Sequence, residues 1–232
     1  MFRLHARVLA FAMVATAACK DPNANVPRAT TAPAPATTPA TPATTPAAPT
    51  ATEHLTFAPP GSSLGFTGAK VTGSHNGTFG TFTGSIDLDA AHPENSRIQV
   101  DIETNSVTTD TERLTNHLKS ADFFDVEHFP RASFASTEIR AGGTNGATHT
   151  VTGTLTLHGQ SRAVTFPATI AVTPAEVTAR SEFVINRRDF GLVYPGMPDN
   201  LIRDEVTVRF DLRSPRGAAP QAPTAPPSAP AH

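Results

Sequence analysis

Between residues 53 and 214 apolar and polar side chains alternate in segment after segment. Phe82, Gly84, Ile86 and Leu88 fall on one face, as do Ile98, Val100 and Ile102. Val151, Gly153, Leu155 and Leu157 make a third set. Val164, Phe166, Ala168, Ile170 and Val172 make a fourth, and Val206, Val208, Phe210 and Leu212 a fifth. A period of two repeated this often predicts antiparallel strands with one buried and one wet face. Turn residues separate the runs, at Pro59-Pro60-Gly61, His75-Asn76-Gly77, Ala90 to Glu94, Gly142 to Gly146 and His158-Gly159-Gln160. Asn76-Gly77 between apolar runs predicts a tight hairpin. About eight strands on short turns suit a barrel or a sandwich.

One stretch departs from this period. In Thr111 to His128, Leu114 and Leu118 are spaced for one helix face, Asp110 or Thr111 can cap it, and Glu112 and Lys119 complement the helix dipole. The expectation is an all-β domain with one short helical insert.

Composition sets the limits of that domain. Of 22 prolines, 14 lie outside 53–214, whereas 12 of 14 phenylalanines lie inside. The central 162 residues have chain enough for a core and the flanks do not. Residues 20–52, with 8 Pro and 9 Thr, predict an extended spacer, and 215–232 a disordered tail. The window carries 13 Lys/Arg and 19 Asp/Glu, a balance of -6 that argues against nucleic acid as a partner.

Residues 1–18 have the form of an export signal: Arg3 and Arg7, an apolar run over Val8 to Val14, then small residues. The run is too short for a helix to span a bilayer. Thr16-Ala17-Ala18-Cys19 resembles the bacterial lipobox, with Thr16 where Leu is usual, and it marks the single Cys as a lipidation site. The expectation is an exported protein of the cell envelope or periplasm, held to a membrane through Cys19.

Catalytic signatures are missing. There is no GxSxG, HExxH or CxxC, and none of the nine His are paired at metal-ligand spacing. His117 and His128 flank the insert and read as surface or capping residues, as do Asp122, Asp125 and Glu127. Arg187-Arg188-Asp189 reads as a strand end with a salt bridge before it reads as an anion site. No cofactor, no metal and no catalysis are expected.

Four segments together carry a resemblance. Asn116 to Phe134 (NHLKSADFFDVEHFPRASF), Ser63-Leu64-Gly65-Phe66, Val151 to Gly159 (VTGTLTLHG), and Arg187 to Leu192 (RRDFGL) followed by Asp204-Glu205-Val206 resemble, in order and spacing, the motifs of the YceI-like family. After Phe66 the chain reads TGAKVTGSHNGTFGTFTG, shorter than the Lys/His-bearing segment usual there. The resemblance implies a lipocalin-like antiparallel barrel of about eight strands that binds a long polyisoprenoid or isoprenoid-quinone lipid, without cofactor-dependent catalysis.

The pocket residues expected on that basis are apolar: Leu118, Phe123, Phe124, Phe129 and Phe134 from the insert and the strand after it, and Leu155, Leu157, Phe166, Ile185 and Phe190 from the wall. Arg188 or Asp189 would hold a polar head group at the rim. Gly84 and Gly153, on inward faces, would leave room for a guest or permit a bend. The alternative is a filled barrel with no lipid, acting as an envelope interaction or stress-response protein. Whether the chain forms a homodimer is open at this level.

Overall fold

A computed structural model describes residues 23–34, 52–198 and 200–217. Its elements in chain order are β1 (Thr30–Pro33), β2 (Glu53–Phe57), β3 (Ser63–Lys70), β4 (Gly73–Phe79), β5 (Phe82–Leu88), β6 (Arg97–Glu103) and β7 (Val107–Thr109). Helix α1 (Glu112–Lys119) follows, then β8 (Arg131–Ala141), β9 (His149–Leu157), β10 (Gln160–Val172) and β11 (Glu176–Asn186). The chain ends with β12 (Gly196–Met197), β13 (Asn200–Leu201) and β14 (Glu205–Pro215). Twelve of these strands form one antiparallel sheet, and β12 and β13 pair separately.

The segments outnumber the eight strands expected because two long strands bend. Gly80 N donates to Ser106 O and Glu103 N to Thr81 O, both at 3.1 Å, so the ladder between β5 and β6 continues into that between β4 and β7. Counted as continuous runs, the wall has eight strands: β3, β4–β5, β6–β7, β8, β9, β10, β11 and β14. β14 pairs with β3 and β3 with β4, which returns the sheet on itself.

Two short strands complete the wall. β3 reaches only Ser63, opposite Asp211. Beyond it β2 pairs with β5 and meets the end of β14, where Ser214 Oγ donates to Thr56 O at 2.7 Å and Arg216 pairs with Glu53 at 2.7 Å. β10 and β11 pair only over Thr169–Val172 and Val177–Arg180, then separate. β1 enters that seam, pairing Thr30–Pro33 with Arg162–Thr165. Val184 N donates to Pro27 O and Ala29 N to Val184 O, both at 2.8 Å, which supplies backbone partners to the β11 side. Asn23 is buried beside it, accepting from Thr207 Oγ1. Residues 23–34 are therefore part of the folded unit and not of an extended spacer. Cys19 and the rest of 1–22, residues 35–51 and residues 218–232 lie outside the described residues.

Helix α1 matches its sequence pattern. Thr111 caps it, accepting from Leu114 N at 3.4 Å, and Leu118 is buried. With the turns at 120–129 and the loop 187–204, it covers one end of the barrel.

Candidate functional site: a cavity in one half of the barrel

The interior is unequal along its length. One end is closed by aromatic rings packed against the main core. Phe166 of β10 stacks on Phe183 of β11 with centroids 4.3 Å apart, and Phe134 of β8 and Phe210 of β14 close on Phe166 at 5.7 and 5.9 Å. Four rings from four strands meet across the axis there. The inward glycines make room for rings of neighbouring strands. A Cβ on Gly84 would sit 2.1 Å from the Phe57 ring, and one on Gly153 would sit 2.4 Å from the Phe134 ring. Each glycine lets a ring from a neighbouring strand lie flat on the sheet.

The other end holds a cavity of about 570 Å³, inside the range of roughly 300–1,000 Å³ usual for small-molecule sites. Leu155 and Leu157 of β9, Ile185 of β11, and Val206 and Val208 of β14 form one side. Leu64 and Phe66 of β3 and Phe79 of β4 continue the wall past the β14–β3 pairing, with Phe66 flat over Gly77. Leu114 and Leu118 of α1, Phe123, Phe124, Leu192, Tyr194 and Ile202 form the roof. Several inward side chains here, Leu64, Phe66, Leu155 and Val208 among them, are only half-buried, because their free surface faces the void.

Polar groups stand at the rim. His117 Nε2 meets Asp122 Oδ2 at 2.9 Å, and its ring stands edge-on to Phe123 and Tyr194, both at 5.0 Å. His75 Nδ1 meets Asp110 at 3.0 Å. Lys70 and Arg113 also border the cavity. His128 lies apart from His117, and its bond to Asp125 raises its pKa above the ordinary imidazole value. Among the described residues no group of three or more His, Cys, Asp or Glu is placed to hold a metal.

Of the residues expected from sequence, Leu118, Phe123, Phe124, Leu155, Leu157 and Ile185 line this cavity. Phe134 and Phe166 do not, because they sit deeper, in the packed end. Phe190 is fully buried in the main core and does not border the cavity. Phe129 packs on His158 at 4.6 Å and against Gly159, outside the barrel opening. Arg188 and Asp189 are not at the rim. Arg188 is exposed, 3.7 Å from Asp204, and Asp189 accepts from Thr31 Oγ1 of β1 at 2.6 Å.

It is Arg187 that borders the cavity, and each of its three guanidinium nitrogens already has a protein partner. These are Arg203 O at 3.2 Å, Leu192 O at 2.5 Å and Asp204 at 3.0 Å. Burial lowers its pKa against the opposing pull of Asp204. Arg187 pins the roof loop in place. Sequence reasoning missed Phe66, Phe79, Leu114 and the loop residues Leu192, Tyr194 and Ile202. It had Val206 and Val208 on an inward face without assigning them to the pocket.

Comparison with known proteins gives a consistent picture. The family model for the YceI-like domain matches residues 55–214. A UPF0312 protein of Pseudomonas putida is 37% identical over 139 residues, 57% of this chain and 71% of its own. A UPF0312 protein of Pseudomonas fluorescens is 36% identical over the same length. Among solved structures, Burkholderia cenocepacia BcnA superposes with a TM-score of 0.58 at 26% identity, over 66% of this chain and 95% of its own. A polyisoprenoid binding domain from Saccharophagus degradans gives 0.55 at 16% identity, over 71% and 100%, a likeness of fold. Residues 23–34 lie outside the family match.

Proposed function

The chain belongs to the YceI-like family, and on that premise we propose that it binds and carries a long-chain polyisoprenoid or isoprenoid-quinone lipid in the hollow half of the barrel. The observation that carries this reading is the 570 Å³ cavity, walled by aliphatic and aromatic side chains and polar only at its rim. Such a site rewards a slim hydrocarbon chain, since each buried CH₂ contributes about 0.8 kcal/mol. Ordering the chain offsets part of that gain. A guest's polar end would find partners among Lys70, His75, Arg113 and His117 at the cavity boundary. The kinship of fold with a polyisoprenoid binding domain supports the same class of guest. The filled-barrel alternative describes the end around Phe166 and leaves the cavity without an occupant. The reading includes export, and a membrane tether through acylated Cys19 in the cell envelope. It assigns the barrel no chemistry of its own.

The test is mass spectrometry of an organic extract of the full chain, purified from an exporting host. A prenyl lipid in molar proportion is expected, and its loss in Val208→Phe, which puts a ring into the cavity. An extract that stays empty after incubation with polyprenols and prenylquinones overturns the proposal.

A further inference from the structure

We propose that the rim of the hollow end is a membrane-docking surface, which presses the mouth of the cavity against a lipid bilayer. The proposal extends the lipid-carrier reading by naming where the barrel and its lipid source meet.

Two features point to the bilayer there, the second resting on the anchor proposed at Cys19. The first is where apolar surface is left in water. Among the described residues the exposed large apolar side chains are Val71, Val193, Met197 and Leu201, at 62, 57, 62 and 50%. They do not scatter. Val71 is at the tip of the β3–β4 hairpin, and Met197 and Leu201 are on the small β12–β13 hairpin. The two hairpins touch, with Val71 N donating to Leu201 O at 3.2 Å and Lys70 bridging to Ile202. Val193 sits between Leu192 and Tyr194, both of which line the cavity, as do Lys70 and Met197. Isolated surface apolar residues need no explanation, but a group gathered on one rim does. Here the group adjoins the cavity on the side of the two hairpins, where Lys70, Met197, Leu192 and Tyr194 belong to its lining. A hydrocarbon chain entering beside the hairpins would meet apolar side chains outside the barrel before those inside it.

The second observation is the route of the chain. Asn23 is buried on the first residues of β14, its amide donating to Glu205 O and its carbonyl accepting from Thr207 Oγ1. That is the hollow end, since Val206 and Val208 are cavity wall. Cys19 is four residues earlier, a reach of about 14 Å when fully extended. With the anchor proposed at Cys19, the bilayer comes within that reach of the hollow end. The 33-residue spacer does not intervene, because residues 23–34 are docked on the barrel.

The test uses the full chain carrying Cys19→Ser, so that the anchor does not mask weaker binding. The chain has no Trp, which makes a single introduced Trp a clean reporter. Met197→Trp and Leu201→Trp are compared with Ala91→Trp, an exposed position at the packed end, on phosphatidylcholine vesicles. Expected are a blue shift and quenching by brominated lipid at 197 and 201, no response at 91, and little sensitivity to salt, because insertion is apolar. Replacing Val71 and Met197 by Ser should lower vesicle partitioning at least about tenfold. Equal responses at both ends, or none at either, overturn the proposal. So does partitioning unchanged by the Ser pair. Lipid content is measured on the same samples. Bound prenyl lipid without rim insertion sinks the docking surface alone, and rim insertion with an empty cavity sinks the carrier reading alone.

Discussion

The two ends of this barrel are built from similar side chains and do opposite things with them. At the packed end, Phe134, Phe166, Phe183 and Phe210 project from β8, β10, β11 and β14 and meet on the axis. At the hollow end, Phe66, Phe79 and Phe124 also form a ring cluster, with centroids 5.7 to 6.2 Å apart. These three gather on one side, on adjacent strands β3 and β4 and under the roof. The rest of the wall, from β9 through β11 to β14, contributes Leu155, Leu157, Ile185, Val206 and Val208 to the lining and no ring. A cavity arises from where rings are attached, and not from a lack of large residues. The hollow end carries a stability cost that the packed end offsets, since a void costs more the less its surroundings collapse into it.

Substitutions can break or sharpen that contrast. Phe166→Ala removes the ring at the centre of the packed end and should lose about 3–5 kcal/mol in urea unfolding. A loss as small at Phe166 as at a cavity-lining residue would erase the distinction between the ends. Gly84→Ala drives a methyl group into the Phe57 ring and should cost about 1–3 kcal/mol by the same assay. Val208→Phe enters a void, so its stability should stay within about 1 kcal/mol of the parent while bound lipid disappears from the extract. That pairing of near-normal unfolding with an empty cavity is the sharpest separation of the two halves.

The smallest effect belongs to Asp89, in the loop at the packed end. Its carboxylate accepts from the backbone N–H of His92 and Ala91, and the His92 bond is the chief reason its pKa lies below the ordinary 3.8. The stability it lends is present above 3.8 and is lost as pH falls through the lower folded value. Asp89→Asn should lower Tm at neutral pH, and the difference should shrink toward zero in acid. A gap that widened in acid would contradict the assigned contacts.

Much of the wall was legible because period-two alternation reports which face of a strand is buried. It reports nothing about height along the barrel. Phe166 and Leu157 both point inward, yet one fills the packed end and the other lines the cavity. Their heights follow from register, with Phe166 opposite Val151 and Leu157 opposite Gln160. That pairing is nonlocal and leaves no trace in a single strand's pattern. Helix α1 was readable for the opposite reason, since its cap and its Leu114–Leu118 spacing are local. The roof loop was not readable, because Leu192, Tyr194 and Ile202 follow no period and are positioned by the contacts of Arg187. β1 was hidden by composition. Thr30-Thr31-Ala32-Pro33 looks like its Pro/Thr-rich surroundings, and only the gap between β10 and β11 makes it a strand.

That seam strand also changes what a protease could achieve. Residues 35–51 are the sole covalent link between β1 and β2. A cut there leaves the N-terminal fragment paired to Arg162–Thr165 and bonded to Val184. Where Cys19 is acylated, such a nicked molecule stays at the membrane for as long as the fragment takes to dissociate. Shedding of the barrel is then timed by an off-rate set in the fold, and cleavage only starts the clock.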